Sequence, residues 1–156
     1  MANYKTKIND RLAARNIAEE KCEEYLTEKN LHWSRFGFDE TNKNIPFKHF
    51  IKVPELIRNA PDYICISNKA FFIETKGFNE TLKIKENDLK SYSYWNNIMD
   101  LYFFAYDCEK EIFHKITYKY ILSVLPVSEI AKYPDNKKLY YKINLWNLQQ
   151  QLKMVD

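Results

Sequence analysis

The sequence predicts an α/β fold in which a mixed central sheet is flanked by helices. Three observations lead there. The stretch from about Asn9 to Lys29 has helical periodicity. Asp62–Ser67 and Ala70–Lys76 are β-favouring runs separated only by Asn68 and Lys69. Met99–Tyr106 is nearly all apolar, as a central strand covered on both faces would be.

The elements follow in order. In the first helix Leu12, Ile17, Cys22, Tyr25 and Leu26 recur at roughly helical spacing, with charges between them. Asn9 or Asp10 is the expected N-cap, and Asn30 is expected to close the helix in a left-handed conformation. Leu31–Phe38 reads as a strand, with Trp33, Phe36 and Phe38 supplying β-favouring bulk. Pro46 and Pro54 interrupt the basic stretch 39–60, which reads as a loop with a helical turn around Pro54–Arg58. After the two strands and Gly77 come a polar link, a helix from about Lys85 to Asn97, and the apolar strand. Glu111–Thr117 is a further candidate strand. Tyr118–Leu125 and Ser128–Lys132 read as short helices, Leu139–Leu145 as a last strand and Trp146–Leu152 as a terminal helix. The order through Tyr106 is therefore α-β-β-β-α-β.

With 156 residues the chain suits one domain, 1–156, with a core over about 9–106 and a C-terminal extension over 107–156. Its two glycines, Gly37 and Gly77, exclude a glycine-rich phosphate loop. Cys22, Cys65 and Cys108 lack CxxC spacing and are expected to be reduced and packed. The N-terminus is polar and no apolar run reaches bilayer length, so the expectation is a soluble, cytoplasmic (intracellular) protein without a membrane partner. A net charge of +3 is mildly basic and compatible with nucleic acid.

Two carboxylates and a lysine stand in the two apolar strands: Asp62, Glu74 and Lys76. Burying ionised groups is costly unless they are paired or bind metal. Alternation puts Glu74 and Lys76 on one face of their strand, with Phe71, Ile73 and Thr75 on the other. Asp62 joins Glu74 only if paired positions in the hairpin have an even sum. That requires an odd loop or a bulge; a three-residue turn pairing Ile64 with Glu74 is the simple form, and a two-residue turn splits the site. Converging carboxylates suit Mg2+ or Mn2+, with the Thr75 carbonyl as a further oxygen ligand. Lys76 beside such an ion is placed to orient water or offset developing negative charge.

Pro61-Asp62 followed by Glu74-Thr75-Lys76 resembles the signature of the PD-(D/E)XK nuclease superfamily, which includes many restriction endonucleases and archaeal-type Holliday-junction resolvases. The resemblance covers about Arg15 to Tyr106. It implies a restriction-endonuclease-like core, metal binding by Asp62 and Glu74, and assistance to hydrolysis by Lys76. It also implies a glutamate on the first helix. Glu19 is chosen over Glu20 as this third acidic group, a catalytic residue that supports the metal site with Asp62, Glu74 and Thr75, because it shares the inward face of Cys22 and Leu26. From the later helix Lys85, Asp88 and Tyr92 are possible contributors.

The expected activity is Mg-dependent hydrolysis of phosphodiester bonds in DNA, as an endonuclease, with a homodimer plausible for cutting both strands. Lys48, His49, Lys52, Arg58, Lys83 and Lys85 are candidate nucleic-acid contacts. Tyr92, Tyr94 and Trp95 divide between base stacking and core packing. His32, His49 and His114 share no metal-ligand spacing. The competing readings are a Glu74–Lys76 ion pair on an exposed sheet face, a non-catalytic nucleic-acid-binding subunit, and a protein-interaction domain.

Overall fold

The computed structural model describes residues 4–38 and 44–145. Its elements are α1 (Tyr4–Glu28), β1 (His32–Arg35), α2 (Phe47–Phe50), α3 (Glu55–Arg58), β2 (Tyr63–Ile66), β3 (Ala70–Phe78), β4 (Leu82–Lys85), α4 (Glu86–Ile98), β5 (Leu101–Asp107), β6 (Ile112–Thr117), α5 (Tyr118–Val124), a 3-10 turn at Leu125–Val127, β7 (Glu129–Lys132) and β8 (Leu139–Ile143). The larger sheet has the order β1-β2-β3-β5-β6, and the smaller has β4-β8-β7. In the larger one β3 and β5 are parallel, and the other neighbours are antiparallel. The sheet is thus mixed and carries helices on both faces, as expected.

Each face has its own apolar layer. On one side α1 covers Cys65, Phe71, Ile73, Phe104 and Tyr106 with Ala18, Cys22 and Leu26. On the other, Phe72, Leu101, Phe103 and Ala105 pack against Tyr92 and Trp95 of α4, Ile121 of α5, and Leu82, Ile84 and Ile143 of the small sheet. Strand β5 sends side chains into both layers, which accounts for its unbroken apolar run. Residues after 107 are not a separate layer: Ile116, Tyr118, Ile121 and Ile143 lie in the same cluster as α4.

Helix α1 differs from the expected stripe. Among its residues whose side chains are described, Ala14, Ala18, Cys22 and Leu26 are buried, whereas Leu12 and Ile17 are exposed. The cause is close approach. A Cβ on Gly77 would fall 2.0 Å from the Ala14 carbonyl oxygen, so the helix backbone rests directly on β3 and leaves room only for small side chains there. Asn9 and Asp10 sit inside the helix rather than at its start, because a local capping preference yields to a helix that continues through it. At its C-terminus Asn30 adopts φ 52°, and the Leu31 N–H donates to the Leu26 carbonyl at 3.0 Å, which closes the helix as expected.

Three further readings change. The link after Gly77 contains β4, whose Leu82 and Ile84 are buried while Lys83 and Lys85 are exposed. Residues 129–132 are strand β7 paired with β8, not a helix; Pro126 interrupts the chain after α5, and pairing with β8 takes up the backbone hydrogen bonds. Strand β1 is shorter than expected. Residues 146–152 lie outside the described residues. No helix among the described residues is long and apolar enough to cross a membrane.

The close approach at Gly77 gives a direct prediction. Gly77→Ala should cost about 3 kcal/mol, the upper range for overpacking, because the obstructing atoms are backbone. Urea melts of the two proteins measure it; an unchanged midpoint would contradict the packing described.

Candidate functional site

The β2–β3 hairpin sets the site. Its register pairs Tyr63 with Ile73, Ile64 with Phe72 and Ile66 with Ala70, leaving Ser67, Asn68 and Lys69 in the loop. Paired positions therefore have an even sum, as the site requires. The pairing is offset by two from the simple form: Ile64 faces Phe72 rather than Glu74, so Asp62, just before β2, is level with Glu74 rather than Lys76.

Asp62 is held from two directions. Its carbonyl accepts the N–H groups of Phe36 and Gly37 at 2.8 and 3.2 Å. Its carboxylate Oδ2 accepts the Thr75 N–H at 2.7 Å and the Thr75 hydroxyl at 2.6 Å. Thr75 thus enters the site through its N–H and hydroxyl, which spacing alone did not indicate.

Glu74 lies on the α4 face of β3 and is only 8% exposed. Its Oε1 accepts from Lys76 Nζ at 2.7 Å and from the Tyr92 hydroxyl at 3.0 Å. The Lys76 ammonium also sits 5.5 Å from the Tyr92 ring centroid. The ion pair of the competing reading exists, but not on an exposed face: Glu74 is buried and Lys76 half-buried. Burial, then the neighbouring Asp62 charge, push the Glu74 carboxyl up to about 7 against the pull of Lys76. For Lys76 burial acts downward, yet the Glu74 carboxylate and Tyr92 carry it well above its usual value. Burial, then Glu74, likewise raise the Tyr92 phenol.

Glu19 reaches the same cleft from α1, but both of its oxygens are engaged. Arg15 Nε donates to Oε1 at 3.0 Å and Arg35 Nη1 to Oε2 at 3.1 Å. Arg35 also bonds Glu23 at 2.5 Å, and Glu23 accepts from the Tyr63 hydroxyl at 2.8 Å. Among the described residues no group of three or more His, Cys, Asp or Glu side chains is placed to hold a metal. Glu19 is therefore beside Asp62 and Glu74, not clustered with them.

The cleft has a volume of about 940 Å³ and is lined by Glu19, Asp62, Glu74, Thr75 and Lys76. Of the basic candidates, Arg58, Lys83 and Lys85 also line it. Lys48, His49 and Lys52 do not; they are exposed on and just after α2. Sequence reasoning missed Arg15, Arg35 and Lys138 in the lining. An arginine four residues before Glu19 was the available signal for the first; the other two depend on strand pairing. Tyr92 and Trp95 are buried in the core, while Tyr94 is 48% exposed. The Trp95 indole N–H donates to the Leu56 carbonyl at 3.2 Å.

The donor set fits a hard divalent cation of the Mg2+ type. Such ions take one or two carboxylates and keep waters, rather than requiring an all-protein cage. Asp62 and Glu74 supply two carboxylates, and the Asp62 charge adds to burial in raising the Glu74 carboxyl. The buried thiols Cys22 and Cys65 belong to the α1 layer.

No family model matches the chain, and no curated protein matches it. Among solved structures, one described as D212, a nuclease from a fusselovirus, aligns over 92% of this chain and 91% of its own. The identity is 13% and the TM-score 0.47, and a likeness of that size carries no argument about activity.

The Thr75 hydroxyl donates to a carboxylate, and hydrogen bonds to charged groups contribute about 1.5–3 kcal/mol. Thr75→Val keeps the shape and removes that donor. It should lower the stability of the metal-free protein by about 1–3 kcal/mol at neutral pH, read from denaturant melts. A wild-type midpoint would mean that the hydroxyl does not hold Asp62.

Proposed function

We propose that this chain is a metal-dependent nuclease that hydrolyses phosphodiester bonds in DNA, acting as an endonuclease. The observation that carries the reading is the pair of buried Glu74 with half-buried Lys76 beside Asp62, opening onto a cleft that also holds Arg58, Lys83 and Lys85. A carboxylate pair and an ammonium group in a cation-lined cleft suit an anionic substrate attacked by water.

In this reading Asp62, Glu74 and the Thr75 carbonyl hold Mg2+ or Mn2+. The ion, when bound, lowers the pKa of water and offsets charge on the phosphate. Thr75 fixes the Asp62 carboxylate through two hydrogen bonds, so this ligand is oriented beforehand. Tyr92 holds Glu74 from the α4 side. Lys76 Nζ can pivot from Glu74 Oε1 and donate to a phosphate oxygen as negative charge develops there. Glu19 retains Arg15 and Arg35 at the rim of the cleft.

A non-catalytic nucleic-acid-binding subunit is the second reading. The specific observation in its favour is that the Lys76 ammonium pairs directly with Glu74 Oε1 at 2.7 Å.

The two separate on cleavage. With Mg2+ or Mn2+, wild type should cut plasmid, single-stranded or branched DNA. Asp62→Ala and Lys76→Ala should each lower the rate by at least about a hundredfold, the usual scale for losing a positioned electrostatic group. Absence of cleavage on every substrate with either metal, or wild-type rates in both variants, would overturn the catalytic reading.

A further inference from the structure

The cleft is asymmetric in charge, and the asymmetry falls on different elements. Cations from α1 and β1 are already matched: Arg15 and Arg35 share Glu19, and Arg35 also takes Glu23. Cations from the small sheet are not. Lys83 and Lys85 project from the exposed side of β4, and Lys138 immediately precedes β8. All three are exposed and line the cleft. Among the described residues none of the three has a carboxylate within ion-pair distance. Lys83 Nζ instead lies 5.3 Å from the Tyr140 ring, which packs on Tyr133 at 4.3 Å between centroids. Tyr133 lines the cleft as well.

Unmatched charges kept close to one another raise the local potential and attract an anion. Their spacing describes that anion. Lys83 and Lys85 are two residues apart on one strand face, which separates them by about 6.8 Å. That is close to the separation of neighbouring phosphates along a polynucleotide strand. A small anion would need cations converging on one point, whereas cations in a row suit a repeating charge.

We infer that the small sheet, through Lys83, Lys85 and Lys138, is the track on which the phosphate backbone of a polynucleotide lies as it crosses the cleft. This deepens the nuclease reading and rests on it for the identity of the ligand class. It gives the C-terminal third a function: β8 holds β4 in place from one side, and the β7–β8 turn brings Lys138 to the same cleft. Holding the strand and acting on it then belong to different parts of one core.

The test is binding of the full-length chain to labelled single-stranded and duplex oligonucleotides in EDTA, followed by anisotropy over a range of salt. Each phosphate contact contributes about 0.7 (single strand) to 0.9 (duplex) to the slope of log affinity against log salt. Lys83→Gln, Lys85→Gln and Lys138→Gln combined should reduce the slope by about 2–3 and weaken binding at least about tenfold at physiological salt. A variant with Lys29, Lys90 and Lys119 changed to Gln carries the same charge change at exposed positions outside the cleft lining, and should keep the wild-type slope. Thermal melts establish that both variants fold. Equal slopes in the two variants would overturn the track. Displacement of the oligonucleotide by inorganic phosphate at similar concentration would overturn it too, by showing a small-anion site. Lysine-dependent binding without cleavage would remove the catalytic reading and leave the track standing; cleavage with an unchanged slope in the first variant would do the reverse.

Discussion

The ion pair between Lys76 and Glu74 occupies the face of β3 that packs toward α4, where its neighbours along the strand are apolar. Two opposite charges there have lost most of their water. Removing one partner of a buried pair costs about 3–5 kcal/mol, because the other charge is left uncompensated. The surroundings are arranged around that cost. Tyr92 comes from α4 with its hydroxyl on Glu74 and its ring near Lys76. Asp62, one strand over, works against the arrangement and raises Glu74 toward neutrality. A structural ion pair alone would gain nothing from a second carboxylate nearby. Its presence, pinned by Thr75, is the feature that a purely structural account of the pair leaves unexplained.

Position in the fold follows from two close approaches. Gly77 lets the backbone of α1 rest on β3 beside Lys76, and this carries Arg15 and Glu19 to the cleft. At Gly37 an added Cβ would lie 3.1 Å from the Asp62 Cα, so the chain leaving β1 presses on the residue that holds the other carboxylate. The only two glycines of the chain thus flank the site. Bulk at either place would move an element that carries a polar group, not merely disturb the core.

Much of this could be read from residue order. The central strand β5 was plain because burial on both faces leaves no polar alternation to confuse it. The parity of the hairpin register followed from requiring Asp62 and Glu74 to share a site, although the offset of two residues did not, since parity fixes a face and not a position. The α1 stripe was misread for a physical reason. Hydrophobicity favours Leu12 and Ile17, but around Ala14 the helix lies too near β3 for large side chains, and that distance is set by Gly77, far along the chain. Strands β4 and β7 were missed because each is four residues long and is stabilised by β8, whose contribution no local window contains. Lys138 became a cleft residue only through that pairing.

The missed strands also change what the site consists of. Without the small sheet the cleft would contain Asp62, Glu74, Lys76, Glu19 and Arg58, and its cations on α1 and β1 would be matched by Glu19 and Glu23. Such a cleft has less net attraction for a polyanion. Long-range attraction depends on charge that is not already neutralised at short range. The small sheet supplies it, and does so from strands whose apolar sides, Leu82, Ile84 and Ile143, are buried in the cluster that supports Tyr92. Since a single apolar layer positions both the lysines and the tyrosine behind Glu74, a displacement of the small sheet would disturb the charge track and the carboxylate together.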